Sequence, residues 1–182
     1  DWATGRAADM LGMRRGQVRL VVAHLGAGSS VTAVDRGRSV DTSMGYTPLE
    51  GLMMATRSGS IDPGIVIALA RDGRRSIDEI DDDLLHHSGL LAVGGSADMR
   101  TLLANAKGGD TDARLAIDMF VDRAAAAIAA AATRLSRLDA LVFTGGIGEH
   151  ATAVRSAIVR RLGPLGLGKI PARRRIGDVV LS

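Results

Sequence analysis

Cysteine is absent from this 182-residue chain. Its absence excludes a disulfide scaffold, a thiolate metal site and a cysteine nucleophile, and is in keeping with a cytoplasmic protein. Aromatics are nearly as scarce: one Trp, one Tyr and two Phe. The core must therefore be aliphatic, and no platform for stacking bases exists. Lysine is confined to Lys107 and Lys169, so almost all the basic residues are Arg. A net charge of only +3 can then coexist with an isoelectric point near 10.1, because arginines stay charged to very high pH. These arginines fall in scattered groups, Arg14-Arg15, Arg74-Arg75, Arg160-Arg161 and Arg173-Arg174-Arg175, rather than in one stripe. No nucleic-acid partner is expected. The longest apolar run, Ala124 to Ala132, is far shorter than the ~20 residues that cross a bilayer, and no signal-peptide pattern is visible. No membrane partner is expected either. The start at Asp1 suggests a piece of something longer.

What the chain does have is glycine, 23 residues against 4 prolines, and a regular alternation of strand and helix signals. Residues 4–12 read as a short helix closed by Gly12. Arg19 to His24 is a β-branched run, Val31 to Val34 a second strand, and Asp35 to Arg38 a hairpin turn into a third at Ser39–Thr42. Helices follow: Pro63 to Arg71, with proline in the first turn; Ser76 to about Gly89, opened by the capping box Ser76-Ile-Asp-Glu79; and Ser96 to about Lys107. A long alanine-rich helix, capped by Thr111, runs from Asp112 to Leu135. Alanine around Leu115, Met119 and Ile128 suggests that it is largely buried. Ala140 to Phe143 is a strand, residues 151–162 a helix, and Val179 to Leu181 the start of another strand. No linker divides the chain, so one α/β domain over residues 1–182 is expected, its sheet opening with an antiparallel meander.

Two strands end in glycine loops, His24-Leu-Gly-Ala-Gly-Ser-Ser30 and Thr144-Gly-Gly-Ile-Gly-Glu-His150. Glycine lets the backbone take positive φ and lets a ligand approach closely. Successive N–H groups in such turns cradle anions, and phosphate is the natural guest. Neither loop is a Walker A motif, since no Gly-Lys-Ser/Thr follows. Gly146, Gly148 and Ala151 match a dinucleotide-type spacing, but the acidic residue expected about 20 positions on is missing, and Asp178 comes too late.

Together the motifs resemble the acetate kinase family of the sugar-kinase, Hsp70 and actin superfamily, across practically the whole chain. His24-Leu25-Gly26-Ala27-Gly28 is similar to the family's phosphate loop. Val40 to Leu52, followed by Thr56-Arg-Ser-Gly59 and Ile61-Asp-Pro63, resembles its most distinctive stretch. Asp98-Met99-Arg100 stands where a nucleotide-contacting DFR lies, and Gly146-Ile147-Gly148-Glu149-His150 where the adenosine motif GIGEN lies. The resemblance implies a ribonuclease-H-like, actin-like ATPase lobe that binds ATP or ADP through these residues. It implies Mg²⁺-dependent transfer of a phosphoryl group between ATP and acetate, with Arg57 steadying that group and Pro48 lining the acyl pocket. A planar guanidinium holds two phosphoryl oxygens at once, which is what such catalysis needs.

The same resemblance implies limits. The family's catalytic histidine lies upstream, so neither His24 nor His150 takes that role. Asp41, Glu50 and Asp62 are expected to form structural hydrogen bonds, and Glu149 to orient the adenosine loop. Ala27 replaces Asn, Ser60 replaces Asp, Met99 replaces Phe and His150 replaces Asn. The metal ligands are expected outside this chain, which is read as a C-terminal lobe truncated at both ends, a homodimer when full length, and inactive alone. The alternatives are a non-catalytic nucleotide-binding or dimerisation module and a kinase for propionate or butyrate.

Overall fold

The computed structural model describes residues 2–166. The strand suggested at Val179–Leu181 lies outside them. Helix α1 (Trp2–Met10) leads through one turn of 3₁₀ helix into β1 (Arg19–Leu25), β2 (Ser29–Asp35) and β3 (Arg38–Thr42). Arg36 and Gly37 both carry positive φ, the type I′ geometry that suits a two-residue hairpin. Strand β4 (Ala140–Thr144) returns from the helical half and pairs parallel with β1, giving the order β3-β2-β1-β4.

Strand alternation decides what covers the sheet. Val21, Ala23, Leu25, Val31 and Ala33 point to the main core, joined by Leu141 and Phe143. Leu20 and Val34 point to the other face, with Ala140 and Val142, and meet Ala7 and Ala8 of α1. Burial on both faces is why β1 reads as a continuous apolar run.

Between β3 and β4 lie α2 (Pro63–Asp72), α3 (Ile77–His86), α4 (Gly89–Gly94), α5 (Met99–Lys107) and α6 (Thr111–Ala132). The capping box of α3 forms as its sequence predicts: Ser76 Oγ accepts from Glu79 N and Glu79 Oε2 accepts from Ser76 N. Four boundaries of these helices differ. Helix α3 ends at His86, and residues 89–94 form the separate α4, because Gly89 in the left-handed region breaks the run. The caps of α5 and α6 are Asp98 and Asp110 rather than Ser96 and Thr111. In each case the carboxylate accepts first-turn N–H groups, and Ser96 Oγ instead accepts from Asp98 N. Helix α6 also stops at Ala132, short of Leu135.

Helix α6 is buried along one stripe, Ala113, Ala116, Phe120, Val121, Ala124, Ile128 and Ala131, which packs on the sheet and on α4 and α5. Leu115 and Met119 are 52% and 36% exposed, so burial is one-sided rather than all round. The alanines set close packing on one side and ordinary helix propensity on the other. Helices α7 (Gly145–His150) and α8 (Thr152–Arg161) complete the chain, with α8 packed on α6.

Candidate functional site

Because β1 and β4 run parallel, with Leu20 opposite Ala140 and His24 opposite Thr144, they end at the same edge of the sheet. Open α/β sheets bind ligands outside the carboxyl ends of their strands. At the end of β1 the chain turns through Gly26–Gly28, where Gly26 N–H donates to Gly28 O at 3.1 Å. The Leu25 side chain is fully buried, while Ala27 is exposed at the tip.

At the end of β4, Gly145 takes φ +80°, and a Cβ there would stand 2.6 Å from the Leu25 carbonyl oxygen. The two strand ends therefore approach as backbone against backbone. This junction corrects one expectation: Gly146-Ile147-Gly148-Glu149-His150 is not a loop but part of α7. Gly145 absorbs the positive φ in a single residue, and the chain winds at once. The Arg155 guanidinium closes the far end, donating to the Gly148 and Glu149 carbonyls at 2.8 and 2.7 Å and to Thr152 Oγ1 at 3.0 Å. Partial burial lowers the Arg155 pKa from its ordinary value. Gly148 is buried beside Phe143 and Ile147 half-buried, while Gly146, Glu149 and His150 are exposed. His24 Nδ1 lies 3.0 Å from Thr144 Oγ1, a hydrogen bond tying the two strands together.

Arg57 comes to this edge from the long loop after β3. Ala55 N–H donates to the Ala27 carbonyl at 3.1 Å, which fastens the loop to the glycine turn. Arg57 Nη1 stands 3.7 Å from where a Cβ on Gly28 would be. The same nitrogen donates to the Pro48 carbonyl at 3.4 Å and meets Met54 Sδ at 3.7 Å. Arg57 forms no ion pair with a carboxylate among the described residues. Of the acidic residues near this loop, Asp62 caps α2 and Asp41 pairs with Arg134 at 2.9 Å, which lowers the Asp41 pKa. Both are structural, as their sequence context suggests.

Asp98, Met99 and Arg100 begin α5, whose main packing partner is α6. Asp98 grips the Arg100 guanidinium at 2.7 Å, so the carboxyl pKa falls and the guanidinium pKa rises. Met99 is only 3% exposed and belongs to the core. No hydrogen bond or ion pair among the described residues joins this segment to the strand ends. The structure thus gathers His24 to Gly28, Arg57, Pro48 and Gly145 to His150 at one edge, while Asp98 to Arg100, whose Met99 shares a core cluster with Leu25 and Phe143, sit at the start of α5 without a hydrogen bond to that edge among the described residues.

Among the described residues no group of three or more His, Asp or Glu side chains could hold a metal ion. Shallow surface hollows lie elsewhere, along α2–α3 (Arg74, Asp78, His87) and beside α1 (Trp2, Arg15).

Sequence reasoning missed two contributors, whereas Thr144 and Gly145 already stand in the glycine loop read from the sequence. Met54 and Arg155 were missed because a lone methionine in a loop and an arginine within a helix carry no signature until the chain folds.

A model of the acetokinase family matches residues 1–179. The chain belongs to the acetokinase family. It is 51% identical over 167 residues to the acetate kinase of Deinococcus deserti, covering 91% of this chain and 42% of that protein. It is 47% identical to the propionate kinase of Yersinia enterocolitica, covering 91% and 41%. Among solved structures, the acetate kinase of Porphyromonas gingivalis superposes with a TM-score of 0.86 at 36% identity, covering 90% of this chain and 41% of that one. The chain thus spans well under half the length of these relatives. A ROK hexokinase of Thermus thermophilus, with TM-score 0.50 and 16% identity, shares the fold alone. The expected actin-like ATPase fold, a mixed sheet flanked by helices, is borne out. No helix among the described residues is long and apolar enough to cross a membrane.

Proposed function

We propose that this chain is the nucleotide-binding C-terminal lobe of a kinase that passes the terminal phosphoryl group of ATP to acetate, giving acetyl phosphate and ADP. The observation that carries the reading is the approach of Arg57 Nη1 to Gly28, 3.7 Å from the space its missing Cβ would fill. Phosphate lying against the backbone N–H groups of Ala27 and Gly28 would meet a guanidinium with no carboxylate partner. A carboxylate oxygen of acetate attacks the terminal phosphorus, the bond to the ADP oxygen breaks, and charge spreads over the equatorial oxygens that Arg57 holds. Pro48 offers the acyl methyl group a rigid apolar wall. In this reading the adenosine side is met by Gly146 to His150 and by Asp98 to Arg100, with Glu149 orienting the first of these.

The residues that position acetate belong to the part of the family's length that this chain does not span. Phosphoryl transfer needs both substrates held in line from two sides of a cleft. The chain alone is therefore inactive in this proposal. When full length it is a cytoplasmic homodimer, with Mg²⁺ held by groups outside the described residues. A propionate-type acceptor is the second reading, favoured by the propionate kinases among the similar proteins.

Hydroxamate trapping of acetyl phosphate tests the proposal. The 182-residue chain with ATP, Mg²⁺ and acetate should give background signal only. A chimera carrying the remaining length of the Deinococcus deserti enzyme should be active and prefer acetate to propionate. Arg57-dependent turnover by the chain alone would contradict the divided site, and an inactive but folded chimera would contradict the assigned reaction.

A further inference from the structure

Arg57 sits in a loop, yet its backbone is held as tightly as a strand. Leu90 N–H donates to Met54 O at 2.9 Å, Leu91 N–H to Ala55 O at 2.9 Å and Ser88 N–H to Thr56 O at 2.8 Å. Ser58 N–H donates to Leu84 O at 3.0 Å, and Thr56 Oγ1 to Leu85 O at 2.9 Å. Every one of these partners lies at the end of α3 or the start of α4. The donors Leu90 and Leu91 are first-turn amides of α4, which have no partner within their own helix. Here the carbonyls of the Arg57 segment satisfy them. Helix α4 is in turn anchored, through buried Leu90, in the core that α6 builds.

Gly89 makes the approach possible. Its φ is +62°, and a Cβ on it would strike the Met54 carbonyl oxygen and stand 2.7 Å from Arg57 O and 3.1 Å from Arg57 N. No flexible side chain could yield there, because all three atoms are backbone.

We propose that the α3–α4 turn, with Gly89 at its centre, is the positioning element that fixes Arg57 against the Gly26–Gly28 turn. Gly89 is a positioning residue, touching the Arg57 backbone and no substrate. The inference rests on the reading of Arg57 as a phosphate-holding arginine, and its test separates the two. Gly89→Ala adds the single atom that must displace Met54 and Arg57. Thr56→Val is the milder variant, removing only the hydroxyl bond to Leu85. Gly73→Ala is the control, since Gly73 has φ +67° at the end of α2 and nothing within 4 Å of an added Cβ.

The readouts are the Arg57 Nε–Hε cross-peak in a ¹H–¹⁵N spectrum, assigned by its loss in Arg57→Ala, and affinities for ATP and AMP. Gly89→Ala and Thr56→Val should each move that cross-peak. Gly89→Ala should weaken ATP on the order of tenfold, the scale of a lost charge-assisted hydrogen bond, and leave AMP unchanged. It should add nothing to Arg57→Ala in the double variant. Gly73→Ala should alter none of these. If Gly89→Ala does not fold, Thr56→Val decides by its cross-peak. A cross-peak unmoved in folded variants, or losses that add to those of Arg57→Ala, would overturn the proposal. A moved cross-peak with unchanged ATP affinity would support the positioning and refute the phosphate role of Arg57.

Discussion

The two ends of the sheet treat charge in opposite ways. Where β1 and β4 begin, Arg19 and Asp139 both have oppositely charged neighbours within the protein, although Arg19 Nε and Asp35 Oδ1 are not aligned as a hydrogen bond. Arg19, 7% exposed, pairs with Asp35 at 2.9 Å and donates to the Gln17 carbonyl. Asp139 accepts from the Arg19 amide at 2.8 Å and from Arg137 Nε at 2.6 Å. Where the same strands finish, the Arg57 guanidinium has, among the described residues, only the Pro48 carbonyl and a sulfur, and the chain turns through the small residues Gly26 to Gly28. Charges closed on themselves hold a fold together; a charge left open beside bare backbone is prepared for a ligand of opposite sign. Under the proposed function, one sheet carries stability at one edge and chemistry at the other.

The sharpest way to break that contrast is at Arg57. In an active chimera Arg57→Ala should reduce acetyl phosphate formation by roughly 10³-fold, the scale of arginines serving phosphoryl transfer, with melting temperature unchanged. Equal loss from Asp139→Asn would erase the distinction between the edges. At Gly145 the expected effect is structural and local. Gly145→Ala forces a Cβ towards the Leu25 carbonyl in a left-handed conformation and should cost about 2 kcal/mol or more in chemical denaturation. It should also weaken nucleotide binding, since it separates the two strand ends.

Most of this architecture was legible in the sequence. The strands at Arg19, Val31 and Ala140, the hairpin at Arg36-Gly37 and the capping box at Ser76 each follow from a local rule that tertiary contacts do not override. The helical state of Gly145 to His150 was not legible, because three glycines in six residues argue for a loop. Only the Arg155 guanidinium on its last carbonyls and the burial of Gly148 make winding favourable, and both are tertiary. The seam between α3 and α4 was hidden for a similar reason. Gly89 looks like an ordinary helix stop, and nothing local says that a second helix starts there to hold Arg57.

Smaller effects belong to the closed edge. Asp139→Asn should destabilise by about 1–2 kcal/mol, the scale of weakening bonds to a charged acceptor, and leave ATP affinity as it was. Burial pushes the Asp139 carboxyl pKa up, but hydrogen bonds from Arg137 and the Arg19 amide, together with both guanidinium charges, outweigh it and hold the pKa below the ordinary value. A carboxyl depressed in this way stabilises the fold above its unfolded pKa, near 4, and that contribution vanishes as pH falls through the folded value. Acid titration should therefore show part of the stability of the wild-type chain lost below about pH 4, and a smaller part in Asp139→Asn. Least affected should be Asp41→Asn, which breaks an exposed pair with Arg134 and should leave the melting temperature within error.

The central claim is that the finishing edge binds phosphate and the starting edge does not. Titrating the 182-residue chain with ATP while following its backbone amides by NMR tests this directly. Saturable shifts should centre on Gly26 to Gly28, Arg57 and Gly145 to Gly148, with affinity no tighter than about micromolar, because under the proposed function this chain supplies one side of the cleft. A folded chain whose shifts were absent, or clustered at Arg19 and Asp139, would contradict the account.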